Sequence, residues 1–162
     1  MPSTMPTPSE PSLWISRFQS RAPVDVKQIA ATLGLQIFEL DNMPPGASGK
    51  LYPDPSSQSG FSIGVNKADS FTRKRFTIAH EIAHFLLHRN EVSYGVLDDT
   101  LYRSEHLSGE QETEANKFAA DILMPLPLLR SMAQRLRNVE ELAKLFGVSV
   151  QAMSIRLGIP LP

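Results

Sequence analysis

The 162-residue chain contains no cysteine. That absence excludes a disulfide scaffold, a cysteine-ligated zinc ribbon and a cysteine nucleophile, and it fits a reducing compartment. Long apolar runs are also missing: no stretch approaches the ~20 residues needed to cross a bilayer. Residues 1–11 carry no basic start followed by an apolar segment, so no secretory signal is expected and the expected location is the cytoplasm. Charge of one sign is lacking as well. Lys plus Arg total 16 and Asp plus Glu 17, a formal net charge of -1. Nothing global therefore draws the chain to nucleic acid or to an anionic membrane, and direct nucleic-acid binding is not expected. There are no internal repeats. What remains is a chain long enough for one domain with a core, whose function has to be read from local spacing.

Proline is plentiful by contrast, and four of the 13 prolines fall within residues 1–11. That segment reads as a disordered tail. Trp14, Ile15 and Phe18 stand at helical spacing, so a first helix is expected near Ser12. Asp25 is placed to cap a helix whose apolar stripe is Val26, Ile29, Ala30 and Leu33, with Gly34 ending it. Residues 35–40, 49–52 and 61–65 read as short strands separated by turn-rich loops. A long helix is predicted over 73–87, with Ser70 or Thr72 as its cap, followed by a polar irregular stretch over 89–108. Ser108 and Gln111 have capping-box spacing before a helix over 109–124, which Pro125 stops. A helical patch over 126–136 follows, then helix, tight turn and helix over 139–157. The expected fold class is α+β: a small mixed or antiparallel sheet packed against a buried helix and further helices.

The informative feature is His80-Glu-Ile-Ala-His84. Positions i and i+4 share a helix face, so both imidazoles can reach one metal ion. Glu81 is then placed to act on a water at that metal rather than to bind it. The surrounding helix is strongly apolar, and two histidines and a carboxylate buried there need partners, which a metal supplies. Zinc is the expected ion, with another divalent metal as the alternative. A third histidine ligand six positions after His84 is excluded, because that residue is Asn90. His88 lies about 12 Å along the axis from His80 and is rotated by about 80°, which makes it a helix-end or outer-shell group rather than a ligand.

The next helix offers carboxylates. Its apolar stripe is Ala115, Phe118, Ala119, Ile122 and Leu123. On a helical wheel Glu112 lies about 60° from that direction and Glu114 about 100°. Glu112 is the preferred third ligand and Glu114 the alternative. Glu110, Glu112 and Glu114 also suit the positive end of the helix dipole. Three protein ligands leave a position for water or a substrate carbonyl, with Glu81 as general base. His106, Tyr94 and Tyr102 are the candidate donors to a tetrahedral oxyanion.

Residues 76–88 and 112–125 together resemble the two signature blocks of the ImmA/IrrE-type metallopeptidases, and residues 23–30, 65–66 and 73–76 are similar to that family too. The resemblance spans roughly residues 20–157. It implies a minimal zincin-like domain and an intracellular zinc-dependent endopeptidase. It also implies Glu112 as the glutamate ligand, through the match of Glu112, Ala115, Phe118 and Ala119. Its implied substrate is a helix-turn-helix repressor of the Xre type, in mobile-element induction or a stress response. The chain is short beside the radiation-response members and is expected to lack their additional C-terminal region. The implied organisation is a tail over 1–11, a metallopeptidase core over 12–125 and a helix-turn-helix-like subdomain over 126–162 packed on the core.

Two competing readings stand beside this one. The first is a non-catalytic, metal-containing regulator that controls a repressor by binding. The second is a DNA-associated protein, for which Ser149, Gln151, Ser154 and Arg156 would be the contacts; the basic run Arg73-Lys-Arg75 is a candidate to hold either substrate or DNA. The bland alternatives are a helical pair packed on the core and a solvated helix start. The stretch between the two ligand-bearing helices, 91–107, is expected to border the cleft and to move on substrate binding.

Overall fold

The computed structural model describes residues 7–94, 107–135 and 138–160, with the backbone alone for 93 and 94. Residues 1–6 of the expected tail lie outside that range. Helix α1 is Pro11–Ile15, continued by a single 3-10 turn over Ser16–Phe18. Helix α2 is Val26–Thr32, and the Asp25 side chain accepts from the Gln28 amide at its start. Strands β1 (Gln36–Leu40), β2 (Gly49–Pro53) and β3 (Phe61–Asn66) follow.

The sheet is mixed, in the order β1-β3-β2: β3 pairs parallel with β1 and antiparallel with β2. Central β3 is covered on both faces, with Ser62, Ile63, Gly64 and Val65 all buried. Ile63 stands opposite Leu51 on one side and Ile37 on the other. Phe61 meets Phe85 of the long helix edge-to-face at 5.7 Å, which seats the sheet on that helix.

Helix α3 runs over Phe71–Tyr94, seven residues beyond the predicted end. Its start is set by Ser70, whose hydroxyl accepts from the Arg73 amide at 3.3 Å. It continues past Leu87 because Val92, two turns after Phe85, is buried on the same stripe. Arg89 stacks its guanidinium over Phe85 at 5.5 Å and covers that stripe without interrupting it.

Helix α4 (Gly109–Leu123) opens with the full Ser108/Gln111 capping box and packs along α3. Helices α5 (Leu126–Ala133), α6 (Val139–Phe146) and α7 (Val150–Leu157) complete the chain. Leu129, Leu142, Phe146 and Met153 join the same apolar cluster as Ile63, Ile82 and Ile122. Gly147 ends α6 in the left-handed region, at φ 67.

The basic run at the head of α3 is engaged in contacts within the chain. Arg73 donates to the Ser48 hydroxyl at 2.9 Å, and Lys74 pairs with Glu39 at 3.1 Å. Arg75 donates to the carbonyls of Gly147 (3.0 Å) and Phe146 (3.2 Å), capping the end of α6. Burial lowers the pKa of the Arg75 guanidinium, and the charge of Asp25 partly offsets this.

Candidate functional site

The site is built where α3 crosses β2 and α4. Helical periodicity turns His80, His84 and Glu81 inward from the middle of α3, where both flanking turns are helical and packed. Glu81 and His84 are 0% exposed, and His80 and His88 are also buried. One ligand atom from each of His80, Glu81 and His84 lies within 4.8 Å of the other two.

Helix α4 brings Glu112 to the same point. Its two carboxylate oxygens lie 3.1 Å from His80 Nε2 and 3.2 Å from His84 Nε2, while the two Nε2 atoms are 3.0 Å apart. Two ligand atoms bound tetrahedrally to one zinc ion at ordinary distances are about 3.3 Å apart. Two imidazole nitrogens and a carboxylate at this spacing are therefore a donor set that fits a divalent ion such as zinc. The apolar stripe of α4 explains the aim: Ala115, Ala119, Ile122 and Leu123 are buried, and Glu112 flanks them. Phe76 stacks on the His80 ring at 6.5 Å between centroids and 28° between planes, closing the N-terminal side.

His88 is not a helix-end group, since α3 continues for six residues beyond it. It sits one turn below His84, with its Nδ1 at 2.9 Å from His84 Nδ1. Its Nε2 lies 2.6 Å from Glu114 Oε1. Glu114 thus reaches His88 and not the cluster of Nε2 atoms. Of the three candidate oxyanion donors, His106 and Tyr102 lie outside the described residues, as does the Tyr94 side chain. The expected border segment over 91–107 is helical as far as Tyr94, and its remainder, 95–106, lies outside the described residues.

One residue beside the site escaped the reading of spacing. Gly49 of β2 lies against α3, where a Cβ would press on Thr77 Cγ2 and come within 2.8 Å of the Gly64 carbonyl oxygen. The same Cβ would be 3.7 Å from Glu81 Oε2. The β2 backbone is therefore held directly against the general-base candidate. A glycine inside a strand pattern is the signal that marks such an approach.

The polar side chains of the C-terminal helical pair are also committed internally. Ser149 caps α7 by accepting from the Ala152 amide, and Ser154 is buried. Arg156 pairs with Asp121 at 2.8 Å and donates to the Met124 carbonyl at 3.1 Å. Of the four candidate DNA contacts, only Gln151 is exposed and uncommitted to these roles. Among the described residues, no helix is long and apolar enough to cross a membrane.

A buried helix carrying a histidine–glutamate–histidine cluster on an α+β scaffold defines a metal-site domain of the kind found in metallopeptidases, and comparison with known proteins gives the family. The model of the IrrE N-terminal-like domain, Peptidase M78, matches residues 30–158. The chain belongs to this family. The radiation response metalloprotease IrrE of Deinococcus radiodurans is 34% identical over 133 residues, covering 76% of this chain and 40% of that protein. Its counterpart from Deinococcus deserti is 35% identical over 120 residues, covering 72% of this chain and 41% of that protein. The chain thus spans about two-fifths of the length of these relatives. A Mycobacterium tuberculosis transcriptional regulator shares the fold, with a TM-score of 0.64 at 20% identity over 91% of this chain and 45% of that one.

Proposed function

We propose that this chain is a zinc-dependent endopeptidase. The observation that carries the reading is the convergence of His80 Nε2, His84 Nε2 and the Glu112 carboxylate within 3.0–3.2 Å, beside a fully buried Glu81. His80, His84 and Glu112 would hold the ion. When bound, zinc supplies Lewis acidity, which polarises a carbonyl and makes water acidic enough to lose a proton near neutral pH. Glu81 receives that proton on its carboxylate and returns it to the leaving amine nitrogen. Burial around Glu81 keeps bulk water away from the proton it holds and strengthens its interactions. His106, Tyr94 and Tyr102 remain the proposed candidates for the donor to the oxyanion.

The proposed substrate is a helix-turn-helix repressor and the proposed location the cytoplasm, both resting on the family. The division into a core over 12–125 and a helical subdomain over 126–162 belongs to the same reading. The internal commitment of Ser149, Ser154 and Arg156 favours a protein substrate over DNA. The test is incubation of a helix-turn-helix repressor encoded beside this chain with zinc-loaded wild type and Glu81→Gln of equal zinc content. Cleavage by wild type alone is expected. Loss of DNA binding by the repressor in both reactions, with no cleavage in either, would establish the binding-regulator alternative instead.

A further inference from the structure

We propose that His88 and Glu114 form a positioning relay that fixes the tautomer of His84. This rests on His84 as a metal ligand, as put forward above. The reasoning is a proton count along one line of atoms. His84 Nδ1 and His88 Nδ1 face each other at 2.9 Å, both buried, so one proton and not two fits between them. His88 Nε2 is 2.6 Å from Glu114 Oε1, and a carboxylate only accepts. With His88 as the neutral imidazole, its single proton is therefore on Nε2, and its Nδ1 carries a lone pair. That lone pair accepts from His84 Nδ1–H. The His84 Nε2 lone pair is then directed at the point shared with His80 and Glu112, the only arrangement in which His84 can bind a metal through that atom. In the opposite order, Nδ1–H on His88 and Nε2–H on His84, the ligand is blocked and Glu114 faces a lone pair.

A ligating histidine usually donates directly to a carboxylate or a carbonyl. Here a second imidazole is interposed, and the carboxylate that sets the state lies on α4, 26 residues away in sequence. Glu114 is largely solvent-exposed, while His88 is 4% exposed. The relay thus carries a preference set at the surface to a fully buried ligand. It also gives α4 two separate holds on α3, Glu112 on the upper pair of histidines and Glu114 on the lower one.

The experiment measures zinc affinity of the full chain by competition with a chromophoric chelator, together with long-range 1H–15N spectra of the zinc-free protein, in which no metal dictates the His84 tautomer. His88→Leu retains apolar bulk but removes the acceptor, and zinc affinity is expected to fall about 10- to 100-fold. His88→Asn offers an amide oxygen near the original Nδ1 and is expected to restore most of that loss. In the spectra, wild type shows the Nε2–H form of His88. Glu114→Ala loses this preference, and Glu114→Gln, which keeps an acceptor oxygen, retains it. Wild-type affinity in His88→Leu would overturn the relay, and so would equal weakening by Leu and Asn, which is the mark of a packing role. Failure of the wild-type chain to bind zinc would overturn the underlying metal site instead, so the two failures are distinguishable.

Discussion

Replacing Gly49 by alanine puts a methyl group where β2 meets α3. At an open strand position this change would stabilise the fold by about 0.5–1 kcal/mol, because glycine loses more backbone freedom on folding. At position 49 the expected sign is opposite. The new carbon would come within 2.8 Å of the Gly64 carbonyl oxygen and closer still to Thr77 Cγ2, whereas real Cβ atoms essentially never approach another atom within 3.0 Å. One of these neighbours is backbone of the central strand and cannot rotate away. Overpacking at two points places the cost in the upper part of the usual range, about 2–3 kcal/mol. Subtracting the entropic gain leaves about 1–2.5 kcal/mol net. For a chain of this size that lowers the melting temperature by about 2–10 °C. The Glu81 contact at 3.7 Å is ordinary van der Waals distance. Stability should therefore drop with little change in zinc affinity. Urea unfolding of wild type, Gly49→Ala, Thr77→Ser and the double variant measures the effect. Thr77→Ser removes the Cγ2 methyl, so the double variant should recover about 1 kcal/mol relative to the sum of the singles. An unchanged or raised stability in Gly49→Ala, or strict additivity in the double variant, would refute the reasoning.

Removing zinc with a chelator should lower the melting temperature of wild type, by the equivalent of about 2.7 kcal/mol when free zinc had stood at 100 times its dissociation constant. His84→Ala should show no such zinc dependence, and differential scanning calorimetry reads both. Ser108→Ala breaks the bond to the Gln111 amide at 3.1 Å and should cost about 1 kcal/mol in urea unfolding. Arg75→Met keeps the stem but removes two charge-assisted donors to the end of α6. A loss of about 1–3 kcal/mol is expected, measured in the same way. Hydrogen bonds from Ser56 and then Ser62 hold the Asp54 carboxyl below its ordinary pKa. The stabilisation they bring is present above the unfolded carboxyl's pKa and is lost as pH falls through the lower, folded value. Ser62→Ala should raise the Asp54 midpoint in a carboxyl-resolved NMR titration.

Features with a local cause were legible in the chain. Asp25, Ser70 and the Ser108/Gln111 pair announced helix starts through side chains able to accept from exposed amides. His80 and His84 were brought together by nothing more than the pitch of a helix. Glu112 could be aimed because the small and apolar residues of α4 define a single buried direction. Features with a distant cause were not legible. The parallel pairing of β1 with β3 depends on residues separated by two loops, and no local pattern records it. The end of α3 was placed too early because residues 89–91 are polar, and only Val92 two turns beyond Phe85 reveals the continuing stripe. His88 looked terminal for that reason, and its partner Glu114 belongs to an element whose position against α3 could not be known. Gly49 read only as the start of a strand because its constraint comes from Thr77, on the helix that follows the next strand.

The length of α3 bears on how the metal ligands behave in time. At 1.5 Å per residue, His80 stands about 13 Å from the first residue of the helix and His84 about 15 Å from the last. Helix ends open and close readily, but each opening usually involves only a turn or so. The ligands are thus insulated from fraying at either terminus by more than two turns of intact hydrogen bonds. Backbone amides around residues 80–84 should exchange with solvent only through opening of most or all of the domain. The slowest-exchanging amides and the metal ligands would then be the same residues, so the lifetime of the site is set by the lifetime of the fold.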